Sequence, residues 1–187
     1  MMRTTNETAL IGSRKAVALL LLGAAGLFLP GHSPYLQWYA YRAKHLVVVT
    51  DDARPGAFAV AAAVASAVAA RWPESKAVPA AARTSTEVVK LLRSGQLQVG
   101  LLPAAAAVDA FEGRGTFSGE AKVPLRAVAV LGGDLLVVLE GYAKERARLI
   151  AEAVAGSGQG GPLAARPQAP IPFHPGALEY YQGRKGG

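Results

Sequence analysis

Cysteine is absent from the 187 residues. That excludes disulfides, thiolate metal sites and a cysteine nucleophile. Aromatic residues are scarce at 7%, and none is interleaved with a basic run in the body of the chain. A nucleic-acid platform needs both features, so nucleic acid is not an expected partner. Acidic side chains are also few, 13 against 20 lysines and arginines, which leaves a formal net charge of +7. Such an excess suits an anionic membrane surface, anionic ligands or a generally basic exterior. The histidines, His32, His45 and His174, are scattered without metal-ligand spacing. No HExxH, GxSxG or phosphate-loop lysine motif occurs. Asp51-Asp52 is an adjacent pair without the further oxygens that calcium needs. The expectation is a protein without catalytic residues, metal or cofactor, hence not an enzyme.

Hydrophobic residues, by contrast, make up 51% of the chain, with alanine prominent among them. Arg14 and Lys15 precede an apolar run from Ala16 to Leu29 that ends at Pro30. The run is short for a membrane span of roughly 17–25 residues and suits the core of a secretory signal. No convincing small-x-small cleavage site follows. Tyr35, Trp38, Tyr39 and Tyr41 stand where an interfacial aromatic belt lies, with Arg42 and Lys44 beyond them. Residues 1–44 therefore read as an N-terminal hydrophobic helix, an export signal or an uncleaved membrane anchor. The body would be periplasmic, free or tethered to the inner membrane through this segment. A buried N-terminal helix is the alternative.

The body alternates strand and helix patterns. His45–Thr50 is a β-branched run that suits a buried parallel strand. Ala57–Arg71 is apolar almost all round, as in a well-buried helix. Lys76–Ala82 is a weak strand interrupted by Pro79. Thr84, Ser85 or Thr86 caps a helix whose apolar stripe is Val88, Val89, Leu91 and Leu92, stopped at Ser94-Gly95. Leu97–Leu102 is a buried strand, and Ala104–Phe111 a short helix. Leu125–Leu131 and Asp134–Glu140 are strands joined by Gly132-Gly133, either as a hairpin or as crossover strands into a second lobe. Tyr142–Ala155 is helical. The stretch 156–170 has linker composition; its glycines follow a helix and precede none, so they do not form a phosphate cradle. The remainder, 171–187, holds a short helix from Gly176 to Gln182. The order predicts an α/β fold with a mostly parallel sheet flanked by helices over 45–155.

In such sheets ligands bind beyond the carboxyl ends of the strands. Those ends here are Thr50-Asp51-Asp52, Ala82–Thr86 and Leu102–Ala104, each leading into a helix N-terminus. Free N–H groups there favour carboxylates. Thr50, Asp51, Arg54, Thr84, Ser85 and Thr86 are the candidate ligand-binding residues. Arg54 offers a bidentate fork for a carboxylate, and Ser85-Thr86 offers hydroxyls beside helix N–H groups. The plainer roles are a solvated loop arginine and an ordinary helix cap.

The block Ser85–Gly113, the strand Val123–Leu131 and the ending Ile171–Tyr181 (IPFHPGALEYY) resemble the TAXI family of TRAP-transporter solute-binding proteins. The likeness spans roughly 45–140 and 142–185. It implies a periplasmic-binding-protein-like (type II) lobe that takes a small organic acid or amino acid, often carboxylate-bearing, and delivers it to a TRAP-type permease. The chain departs from that family in three places. Asp51–Phe58 stands where a Gly/Thr-rich loop with aromatics is usual. Pro103-Ala104-Ala105 replaces a polar pair. Almost nothing separates Asp134–Glu140 from Tyr142–Ala155, where a second lobe is expected. A single lobe leaves a ligand half-exposed. The rival expectation is a ligand-blind envelope scaffold or interaction protein, with a homodimer covering the bare face.

Overall fold

Four β-branched residues in a row, Val47 to Thr50, favour extended backbone over helix, and they open an interior strand of the sheet. The structure, a computed structural model, describes residues 34–157 and 168–183. The apolar run at 16–29 lies outside the described residues, as does most of the glycine-rich stretch 156–170. The chain divides into two units, Met1–Tyr41 and Arg42–Gly187.

The described part of the first unit is helical: α1 (Pro34–Lys44) begins there, and its last residues, from Arg42, belong to the second unit. Trp38, Tyr39 and Tyr41 are exposed on it, and the Trp38 and Tyr41 rings stack with centroids 5.7 Å apart. Among the described residues no helix is long and apolar enough to cross a membrane.

The second unit runs β1 (Val47–Asp51), α2 (Ala57–Arg71), β2 (Val78–Ala82), α3 (Ser85–Arg93), β3 (Val99–Pro103), α4 (Ala104–Glu112), β4 (Leu125–Leu131), β5 (Asp134–Leu139), α5 (Lys144–Gly156) and α6 (Pro175–Gly183). Single 3-10 turns occupy Pro73–Ser75 and Gly115–Phe117. The five strands form one sheet in the order β2-β1-β3-β5-β4. β1 pairs parallel with β2 and β3. β5 pairs antiparallel with β3 and β4, so it alone runs against the others. Of the two connections open to the glycine pair, the chain adopts the hairpin. Leu131 faces Asp134 across it, and Gly132 takes a φ of 62°, which glycine adopts without a Cβ penalty.

Both faces of the sheet are apolar because both are covered, which is why the strands read as continuous hydrophobic runs. Val48, Leu101, Leu136 and Val138 pack against Val64 and Val68 of α2 and Ile150 and Val154 of α5. Their alternates Val49, Leu102, Leu135 and Val137 pack against Val88 and Leu92 of α3 and Ala107 of α4.

Ile171, Ala177 and Tyr181 belong to this core. Ala127 N–H donates to Pro172 O at 2.9 Å and His174 N–H to Ala127 O at 2.8 Å, so the segment lies along the outer edge of β4. His174 is buried. Its Nδ1 accepts from Gly176 N–H at 3.2 Å, which leaves Nε2 to donate to Tyr142 O at 3.0 Å. The Tyr181 hydroxyl donates to Val128 O at 3.0 Å. Lys144 and Glu179 join α5 to α6 at 2.9 Å; their bond raises the lysine pKa and lowers that of the carboxyl.

Tyr142 supplies a prediction. Its hydroxyl is buried and has no partner among the described residues. Burial pushes its pKa up from 10.0 to about 12, partly opposed by the Arg146 charge. A pKa raised on folding gives stability that is complete below the unfolded value and declines as pH climbs toward the folded value. Tyr142→Phe removes an unsatisfied hydroxyl, worth about 1 kcal/mol. In urea melts the variant should match or exceed the parent at pH 8. Its advantage should widen by about 1 kcal/mol at pH 11. An advantage that does not grow with pH contradicts this account of the ring.

Candidate functional site

The carboxyl ends of β1, β2 and β3 lie on one edge of the sheet, and the reversed direction of β5 brings its first residue, Asp134, to the same edge. Here the loop after β1 folds back on its own strand. Arg54 Nε lies 3.1 and 3.2 Å from the two Asp51 carboxylate oxygens, and Arg54 Nη1 lies 2.5 Å from Asp134 Oδ1. Ser85, the first residue of α3, donates its hydroxyl to Asp51. The Asp51 side chain is 3% exposed and that of Arg54 30%. Two carboxylates against one guanidinium give the cluster a net charge of −1.

Of the six residues singled out from sequence, three thus meet: Asp51, Arg54 and Ser85. Thr50 is turned into the sheet, where its hydroxyl donates to Leu101 O at 3.2 Å. Thr84 is the N-cap of α3: its Oγ1 accepts from Glu87 N–H at 3.2 Å, while Glu87 accepts from Arg83 N–H at 2.8 Å. This reciprocal arrangement is close to a capping box and occupies both groups. Thr86 is half-buried, and its hydroxyl has no partner among the described residues.

Donors remain at this edge. Arg54 Nη2 is buried and lacks an acceptor among the described residues. The first-turn N–H groups of Ser85 and Thr86 have no intrahelical partners. At α4 the first such group is used, since Ala104 N–H donates to Gly133 O at 3.0 Å. Phe58, on the first turn of α2, is 46% exposed. The edge therefore combines spare donors, a fixed cation between two carboxylates and an exposed ring. Among the described residues no group of three or more His, Cys, Asp or Glu is placed to hold a metal ion.

Asp134 was not among the sequence candidates. Nothing in its local sequence marks it, because it reads as the first residue after a glycine turn. Its only signal is the topology, an antiparallel strand whose start shares an edge with the ends of its neighbours.

A model of the NMT1-like family matches residues 56–150, half of the chain, from the start of α2 into α5. No curated protein matches it.

Proposed function

The chain belongs to the NMT1-like family, a periplasmic solute-binding type of family, and from that premise we propose that it is an exported TAXI-like capture protein that delivers a small carboxylate-bearing solute to a TRAP-type permease. The solute sits at the carboxyl ends of β1–β3. The observation that carries this reading is Arg54, clamped at that edge with a buried N–H group still unmet. A buried donor without an acceptor costs about 1–3 kcal/mol, and a ligand oxygen satisfies it. The Ser85 and Thr86 N–H groups at the α3 N-terminus add donors for the same carboxylate.

The net charge of the cluster narrows the ligand. A dicarboxylate would meet two carboxylates already in place. An α-amino acid brings an ammonium group for Asp134 and Asp51 as well as a carboxylate for the donors, so amino acids are the favoured solutes. In a thermal-shift screen of the full chain, amino acids should raise the melting temperature by mass action, and dicarboxylates or N-acetylated amino acids should not. Asp134→Asn should weaken amino-acid binding about tenfold, the worth of one charged hydrogen bond. Equal shifts with dicarboxylates, or an unaffected Asp134→Asn variant, contradict the amino-acid assignment.

One observation favours the rival scaffold reading. Only Glu140–Ala143 separates β5 from α5, so no second lobe closes over this edge from that junction. Light scattering separates the two: a monomer that responds to solute supports capture, and an oligomer blind to every solute supports the scaffold.

A further inference from the structure

The opposite end of the parallel strands holds a different concavity. His45 and Leu46 lead into β1 and Gln98 leads into β3, and these residues help line a cavity of about 160 Å³. Five residues of strand at about 3.3 Å each separate it from the Asp51 edge by about 15 Å. Among the described residues its lysine, arginine and carboxylate lining is Arg42, Lys44 and Arg146 against Glu74, an excess of two cations. The arginines are held in place. Arg42 Nη1 donates to Gln96 Oε1 at 2.9 Å, and the Arg146 guanidinium lies 5.7 Å from the centre of the Trp72 ring, stacked over it. Trp72 is itself part of the lining.

Three cations converge from separate elements: Arg42 and Lys44 from the last turn of α1, Arg146 from α5. Like charges gathered around one cavity repel, and an anion among them relieves that repulsion. Guanidinium forks suit tetrahedral oxyanions, which accept from several sides at once. We propose that this cavity binds a small phosphate-class anion, either free phosphate or the phosphate of a lipid headgroup. The lipid source is included because of chain order. Arg42 directly follows the exposed aromatics Trp38, Tyr39 and Tyr41, and these follow the apolar run ending at Leu29. The site is independent of the solute reading, since it shares no residue with the Asp51 edge.

The chain has two tryptophans, so Trp38→Phe leaves Trp72 as a fluorescent reporter inside the cavity. The full chain carrying that substitution, in a non-ionic detergent at constant ionic strength, is titrated with inorganic phosphate, dihexanoylphosphatidylglycerol, dihexanoylphosphatidylcholine and sodium chloride. A saturable change with phosphate, and none with chloride, establishes a free-anion site. A response to phosphatidylglycerol without one to inorganic phosphate establishes a headgroup site. In either case Arg146→Gln and Lys44→Gln, both at exposed positions, should each weaken binding about tenfold, and Glu74→Gln should strengthen it severalfold. No saturable response to either phosphate source overturns the proposal. So does a response matched by chloride, or one that survives both cation substitutions.

Discussion

Arg54→Ala destabilises the lobe by about 2–3 kcal/mol. The substitution strips Asp51 of its charged partner while that carboxylate stays 3% exposed, and it strips Asp134, 15% exposed, of the same cation. Removing one partner of a buried pair costs about 3–5 kcal/mol, because the remaining charge is left uncompensated. Arg54 is 30% exposed, so water enters and the lower figure applies. The Ser85 hydroxyl still reaches Asp51 but brings no charge. Urea melts of the parent, Arg54→Ala, Asp51→Asn and the double variant give the coupling directly. The double variant should recover at least half of the loss, since the more deeply buried of the two orphaned charges is gone. A cost for Arg54→Ala below about 0.5 kcal/mol, within the range of an ordinary surface change, would mean that the arginine does not hold this edge together.

Gly176→Ala is expected to detach the C-terminal segment from the lobe. An added Cβ at this position meets Lys144 O at 2.0 Å, Lys144 C at 2.9 Å and Arg148 N at 3.1 Å. All are backbone atoms of α5 and its start, and none can rotate away as a side-chain tip would. α6 must therefore lift, and overpacking of this kind costs about 1–3 kcal/mol or more. The loss spreads along the segment: the His174 bonds to Tyr142 and Gly176, the Tyr181 bond to Val128, and the pairing at Ala127 all depend on α6 staying seated. Hydrogen exchange at the Ala127 and His174 amides should accelerate by at least tenfold, while Val48 and Leu101 in the sheet centre stay protected. Gly100→Ala is the control. Its added Cβ comes within 2.8 Å of Leu92 Cδ1, the end of a flexible side chain, so its effect on the tail amides should be small. Unchanged exchange in Gly176→Ala contradicts the close packing of α6 on α5.

The fold was legible where periodicity and punctuation agree. Val47–Thr50, Val88–Leu92 and Leu135–Val138 each carry the repeat of the element they form, and Gly95, Gly113 and Gly132-Gly133 mark the stops. The site was legible only in outline. Arg54 and Asp51 both stood out at a strand end, but the pairing of the arginine with two carboxylates did not. One lies three residues back in sequence. The other, Asp134, arrives through an antiparallel strand whose direction the sequence left open between hairpin and crossover. Thr84 was readable as one of three possible helix caps, and the structure uses it so, with Glu87 completing the arrangement. The packing of Ile171–Tyr181 on β4 depends on contacts between residues far apart in sequence, which no local pattern encodes. The resemblance of that ending to a family motif marked it as significant without saying what it touches.

The most direct test of the central claim is a nitrogen–proton correlation spectrum of the full chain, recorded with and without each amino acid that raises its melting temperature. Saturable shifts are expected at Asp51–Arg54, Thr84–Thr86 and Ala104, with the Arg54 side-chain resonance among the largest. Resonances at Arg42, His45 and Arg146 should stay still. Binding that leaves the Asp51 edge unmoved and shifts another region, or no shift with any amino acid or organic acid, would contradict solute capture at the carboxyl ends of these strands.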